Sequence, residues 1–583
     1  MARDSFGHRW LRSLILTILN LVVVAALLGG GVYLALNRSP EIPDRSWLVL
    51  DLYGELPEYA PPGDFPGTLM AGDTVSLQDL LDALDKAAVD DRIAGVLWKL
   101  SAANDAGWAK LQELRDATGR VRDAGKPVLA WADNLDLRTL FLAAACDSIY
   151  QPPGGYCELR GMMRQTDHLR RMLDKLGIEP HVSKIREYKS AAELVTETGM
   201  TPPAREQAQR LLDGRWEAVI ATVARERPID RAGLLALMAQ GAQMPAEAAA
   251  AGAIDRLSYW QELEAQLLGD RDEDRLPTVT AADLREVDWS DLRREGEETI
   301  AVIHAQGMIA GRESGVNPLL GIMMGHETVV RELRRARLDD EVAAIVLRVD
   351  SPGGEGLASD LIGHEVALCA AAKPTVVSMV DVAASGGYQI AFRATRLLAD
   401  PLSIVGSIGS ISAFFDLSDF YDRIGLDKDA VTVGPMAGLG RDDRAPTAAE
   451  WQAFQERHYA DFNAWLQEVA EHRGLSFEQA EELAYGRVFS GEEAVANGLI
   501  DGLGNLAAAI REAAALAGLA PEASLRVVHL PEPPELLRSL LGGDDEVPVT
   551  ATLDWALHRH LRGQLAETRR LLALQAALPP AAR

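Results

Sequence analysis

The 583-residue chain is poor in cysteine and in positive charge, and each shortage removes a class of function. Its three cysteines, Cys146, Cys157 and Cys369, have no metal-ligand spacing, and an odd number cannot close a disulfide framework. They read as buried thiols, with a single Cys146–Cys157 bridge as the alternative in an oxidising compartment. The 58 Lys and Arg are outnumbered by 86 Asp and Glu, a net charge of −28. So acidic a chain favours solubility and disfavours a phosphate backbone as the main partner, so no nucleic acid is expected. Familiar catalytic signatures are missing as well. His364-Glu365 has Leu368 where the second zinc-binding histidine of a helical metalloprotease would stand. Gly125-Lys126 runs into Pro127 and lacks the Ser or Thr of a phosphate loop, and there is no Gly-x-Ser-x-Gly elbow. No metal and no cofactor are expected, and His304, His326 and the other histidines read as structural or surface groups.

Leu14 to Leu36 is an uncharged run of 23 residues. As a helix it reaches about 34 Å, slightly more than a hydrocarbon core of about 30 Å. Arg3, Arg9 and Arg12 precede it, which predicts a cytoplasmic N-terminus and a body outside the membrane from Asn37 onward. The run is longer than the apolar region of a cleaved signal peptide, and no small-x-small site follows it. The expectation is a single-pass inner-membrane protein with its body on the periplasmic side.

At this length two domains are expected, and the chain contains one unit written twice. Asp90-Asp91-Arg92-Ile93-Ala94-Gly95-Val96-Leu97 reads like Asp339-Asp340-Glu341-Val342-Ala343-Ala344-Ile345-Val346, 249 positions later. Lys126-Pro127 matches Lys373-Pro374 at 247, and Leu173-Asp174-Lys175-Leu176-Gly177-Ile178 matches Tyr421-Asp422-Arg423-Ile424-Gly425-Leu426 at 248. Apolar β-branched runs alternate with amphipathic stretches, the pattern of a parallel-rich α/β fold with crossover helices. Strands are predicted at 299–305, 342–349 and 375–380, and helices at 327–337 and 357–371. The predicted organisation is a cytoplasmic N-terminus (1–13), a transmembrane helix (14–36), a linker (37–46) and a first repeat (47–270). A charged linker (271–298), a second repeat (299–516) and a tail (517–583) follow, the tail holding an amphipathic segment over 553–574.

Two glycine-rich turns of the second repeat carry chemistry. Ser351-Pro352-Gly353-Gly354 follows an apolar strand, and its glycines let backbone N–H groups approach a bound atom, as an oxyanion hole requires. Ala383-Ala384-Ser385-Gly386-Gly387-Tyr388 also follows a strand and opens a helix, placing Ser385 and the Gly386 N–H where developing negative charge is favoured. Gly354 and Gly386 are therefore the candidate oxyanion donors. Either turn alone would be an ordinary turn or helix cap.

Taken together with Gly406-Ser407-Ile408-Gly409, Gly486-Arg487-Val488-Phe489-Ser490-Gly491 and Ala496-Asn497-Gly498-Leu499-Ile500-Asp501, these turns resemble the signal peptide peptidase A family, in its long two-repeat form. The resemblance implies two tandem repeats of the Clp protease and crotonase kind. It further implies a serine peptidase with a Ser/Lys dyad: Ser385 as nucleophile, Lys189 of Tyr188-Lys189-Ser190 as general base, and Ser407 orienting the lysine. Cleaved signal peptides are the substrates it implies, and a homo-oligomer is the assembly, a tetramer among the candidate numbers.

The repeat offset tests the dyad separately. Adding 248 to Lys189 lands on Ala437, and subtracting 247 to 249 from Ser385 lands on Asp136, Leu137 or Arg138. One copy keeps the base and the other the nucleophile. An amine with the usual pKa of about 10.4 cannot accept the serine proton, so burial must lower it by about 3 units, roughly 4 kcal/mol. Two readings compete: a non-proteolytic crotonase-like enzyme acting on acyl thioesters, and an inert membrane scaffold whose glycines only turn the chain.

Overall fold

A computed structural model describes residues 42–60, 75–270, 273–292, 296–317, 321–521 and 523–531. The expected membrane helix at 14–36 and the amphipathic segment at 553–574 lie outside the described residues. Among those described, no helix is long and apolar enough to cross a membrane.

Each repeat folds around a parallel sheet. Across the first, the strands run Arg256–Leu257, Ser148–Gln151, Val128–Ala132, Ile93–Asn104, Ser46–Gly54 and Thr278–Thr280, every neighbouring pair parallel. Across the second they run Val488–Ser490, Ile404–Gly406, Thr375–Ala384, Val342–Ser351, Glu298–Gln306 and Leu525–Leu530, with only Val488–Ser490 antiparallel. Near-continuous burial along Val342–Ser351 and Thr375–Ala384 is what a sheet covered on both faces demands. Helices His326–Leu338 and Gly356–Ala372 cover the second sheet where the apolar periodicity predicts them.

The repeat holds element by element. Helices Arg170–Leu176 and Ser418–Ile424 lie 248 positions apart, each closed by a left-handed glycine, Gly177 and Gly425. The charged segment expected to be a linker contributes more than a connection. Its Thr278–Thr280 joins the first sheet beside Ser46–Gly54, as Leu525–Leu530 joins the second beside Glu298–Gln306. Each repeat thus ends one strand later than expected; in the first, only Val279 of Thr278–Thr280 is buried, and one apolar residue makes no pattern.

The repeats are joined through buried charge and a shared strand pair. Arg348 is fully buried; its Nε donates to Glu58 at 2.6 Å, and Nη1 and Nη2 fork onto Glu113 at 2.7 and 2.8 Å. Both glutamates belong to the first repeat and are themselves buried. Lys110 pairs with Asp350 at 2.9 Å in the same seam. Farther along, Glu179–Lys184 of the first repeat pairs antiparallel with Ile411–Asp416 of the second, from Glu179 opposite Asp416 to Lys184 opposite Ile411. Ile185, next in the chain, is buried within the core of the second repeat.

Candidate active site

Strand Thr375–Ala384 runs straight into the short helix Gly386–Gln389, and Ser385 makes the turn between them with φ 56° and ψ −120°. A non-glycine residue at positive φ costs about 1 to 3 kcal/mol, so the surrounding structure must hold it. Ser385 N–H donates to the Gly406 carbonyl at 2.7 Å, and Tyr388, fully buried two residues inside the helix, donates its hydroxyl to the Leu499 carbonyl at 2.7 Å. This is a sharp strand-to-helix elbow formed without the Gly-x-Ser-x-Gly pattern.

The turn at Gly353-Gly354 packs directly on that elbow. Gly353 has φ 94°, and a Cβ there would lie 2.5 Å from the Gly386 nitrogen and 2.8 Å from Ser385 Cβ. A Cβ on Gly386 would sit 3.1 Å from the Gly354 nitrogen, so the two predicted oxyanion donors are neighbours. Neither N–H finds an acceptor among the described residues. Ser351 fixes the turn, donating from Oγ to the Gly307 carbonyl at 2.6 Å and accepting the Gly353 N–H at 3.2 Å. Both positions demand glycine: Gly353 by its positive φ, and Gly354 because a Cβ there would stand 2.0 Å from the Ile309 carbonyl oxygen.

Lys189 arrives from the first repeat, on the loop that follows the shared strand pair. Its amine donates to Ser407 twice, to Oγ at 2.9 Å and to the backbone carbonyl at 3.0 Å. Lys189 is only 5 % exposed, and burial alone pushes its amine down to about 7. Ser407 follows Gly406, the residue that holds Ser385, and its own φ is 53°. The base candidate, its orienting serine and the nucleophile elbow therefore gather around Gly406-Ser407 within one chain.

Gly486 is the residue whose part the sequence does not reveal. At φ 85° it lies against the lysine backbone, and a Cβ there would stand 2.4 Å from Lys189 Cα. Its N–H donates to the Ile408 carbonyl at 2.8 Å, so it ties the lysine loop to the Gly-Ser-Ile-Gly turn. Gly486→Ala is expected to displace Lys189 and lower kcat at least tenfold. A variant whose kcat matched wild type would show that the lysine loop tolerates the side chain.

In the first repeat the corresponding elbow carries no serine. Asp136 caps helix Leu137–Ala143, accepting the Thr139 N–H at 2.8 Å, where Ser385 stands in the second. Asn104 and Asp105 replace the paired glycines. Among the described residues no group of His, Cys, Asp and Glu could hold a metal, and all three cysteines are buried free thiols.

This duplicated α/β protein, with Ser385 at a strand-to-helix elbow and a buried Lys189 bonded to Ser407, belongs by its relatives to the serine proteases. The chain is a member of peptidase family S49, whose model matches residues 120–271 and 367–520, once in each repeat. It is 32 % identical over 474 residues to the chloroplastic serine protease SPPA of Arabidopsis thaliana, covering 80 % of this chain and 70 % of that one. It is 31 % identical over 528 residues to Protease 4 of Salmonella typhi, covering 86 % and 84 %. Among solved structures it matches a point mutant of ClpP1 from Listeria monocytogenes at 15 % identity and a TM-score of 0.24, over 35 % of this chain and 91 % of that one. Family membership decides for the protease over the acyl-thioester enzyme and the inert scaffold.

Proposed function

We propose that the chain is a membrane-anchored endopeptidase that hydrolyses cleaved signal peptides and other short apolar peptides through a Ser385/Lys189 dyad. The observation that carries this reading is the buried Lys189 amine bonded to Ser407 next to the Ser385 elbow. A neutral amine has two protons and one lone pair. Ser407 takes both protons, which leaves the lone pair for the Ser385 hydroxyl. As Oγ attacks the peptide carbonyl its proton passes to Nζ, and the oxyanion is held by the Gly354 and Gly386 N–H groups. The lysine then protonates the leaving amine, giving a free peptide and an acyl-serine. Water, deprotonated by the same amine, cleaves that ester, and the proton returns to Ser385. This sequence of steps calls on no metal or cofactor. The repeats are read as the Clp and crotonase kind, the anchor as the helix at 14–36, and the body as periplasmic. Copies are read as assembling into a homo-oligomer, in keeping with Val431 and Val433, 96 % and 92 % exposed on a segment outside regular helix or strand.

With the amine at about 7, kcat/KM is expected to rise with pH through about 7 and to level off above 8. A fluorophosphonate probe is expected to label the wild type with the same profile and to leave Ser385→Ala unlabelled. Labelling of Ser385→Ala at the wild-type rate would place the nucleophile elsewhere, and a flat profile from pH 6 to 9 would remove the lysine as base.

A further inference from the structure

The first repeat's degenerate elbow opens onto a cavity of about 570 Å³, and its lining runs against the charge of the chain. Arg138, Arg160, Arg164 and Arg215 all line it, together with two carboxylates, Asp136 and Glu158. Both carboxylates are engaged: Glu158 pairs with Arg160 at 3.0 Å, and Asp136 caps its helix. That leaves Arg138, Arg164 and Arg215, none of which has a carboxylate within ion-pair distance among the described residues. Arg138 lies over the Trp108 ring at 5.8 Å. Arg215 donates Nη2 to the Leu402 carbonyl at 3.2 Å, while its Nε is buried and meets no acceptor. Burial pushes the Arg215 guanidinium below its usual range; Arg138 and Arg164 add to the shift, and Asp381 opposes it. Gathering like charges around a partly apolar cavity costs free energy unless an anion enters.

The cavity also touches the catalytic framework. Ile404 lines it and sits two residues, about 7 Å of strand, before the Gly406 carbonyl that holds Ser385. Trp108 lies between Gly107 and Ala109, and the Ala109 N–H donates at 3.0 Å to Asp381, four residues before the nucleophile. The rest of the lining includes Leu137, Met162, Leu211 and Leu212, which suits apolar side chains. Its volume falls within the range of small-ligand pockets.

We propose that this cavity is a carboxylate-binding site in which Arg138, Arg164 and Arg215 hold the free C-terminal carboxylate of a short apolar peptide. The inference rests on the peptidase reading and deepens it: the enzyme measures its substrate from the C-terminal end, so that peptides with a free carboxylate are preferred. Protein chains whose C-terminus is folded away are spared.

The test uses the full-length chain in detergent as Ser385→Ala, which separates binding from turnover. Fluorescent apolar octapeptides, identical except for a C-terminal acid or amide, are titrated by anisotropy. The acid is expected to bind at least about tenfold more tightly, as a charge-assisted hydrogen bond to a buried cation predicts. Arg138→Gln and the exposed Arg164→Gln are each expected to bring the acid-to-amide ratio toward one. Arg164→Gln guards against misfolding, because its side chain contributes no core packing. Equal affinity for acid and amide overturns the proposal, as does a ratio that survives both substitutions. So does tight, arginine-dependent binding of phosphatidylglycerol vesicles without any acid preference, which would make the site a lipid-headgroup site. Unchanged ratios accompanied by altered sedimentation would make the arginines an interface between copies. If the wild type cleaves nothing while the acid preference persists, the dyad reading fails and the carboxylate site stands.

Discussion

Replacing Lys189 by alanine is expected to lower kcat by about 10³-fold or more at pH 8 while leaving the protein folded. The magnitude follows from losing a positioned general base, which contributes about 10² to 10⁴ in rate, and from losing the donor that steadies Ser407. Stability responds in the opposite sense. The unfolded lysine holds its proton up to about 10.4, whereas the folded one releases it near 7. Between those values the unfolded chain binds more protons, so this group's contribution to stability rises with pH across that window. The alanine variant lacks the term. Its melting temperature should equal or exceed that of the wild type at pH 7, and the advantage should shrink toward pH 10. Ser385→Ala should lose at least as much activity, and the double variant no more than the worse single one, because base and nucleophile act as a unit. Turnover by Lys189→Ala within tenfold of the wild type would sink the dyad assignment.

Arg348→Met is expected to destabilise the protein by about 3 to 5 kcal/mol, the cost of leaving a buried ion pair with one side missing. The methionine fills the space but abandons Glu58 and Glu113, both buried in the seam between the repeats. Burial already pushes the Glu58 carboxyl up, with Arg348 chief among the groups opposing it. Without the arginine the folded state takes up a proton there more readily than the unfolded chain does. The variant's deficit should therefore be largest near pH 8 and shrink as pH falls toward 5, as denaturant titrations at both values would reveal. Replacing Glu58 and Glu113 by glutamine in the same chain should recover part of the loss. An Arg348→Met variant within about 1 kcal/mol of the wild type at pH 8 would mean that the seam is held by its apolar contacts instead.

Local pattern carried much of the architecture. The strands at 299–305, 342–349 and 375–380 and the helices at 327–337 and 357–371 stand within a few residues of their expected bounds, because each is long enough to show its period. Asp136, one of three positions reached by the repeat arithmetic, is the one that holds the place of Ser385. What stayed hidden depended on partners distant in sequence. Thr278–Thr280 becomes a strand only because Ser46–Gly54 offers an open edge, and nothing in the sequence near Glu58 or Glu113 announces that both close on Arg348. Gly486 opens the Gly-Arg-Val-Phe-Ser-Gly run, but nothing local announces that Lys189 lies against it.

The strand pair that carries Lys189 to the second repeat also sets an order of events during synthesis. Glu179–Lys184 leaves the ribosome more than 200 residues before its partner Ile411–Asp416 exists. At about 5 to 20 residues per second, the first repeat waits roughly 10 to 45 s with an unpaired edge and a lysine that has no serine to activate. Under the proposed dyad, a nascent chain cannot bring Lys189 to Ser407 until the second repeat has been made through Asp416.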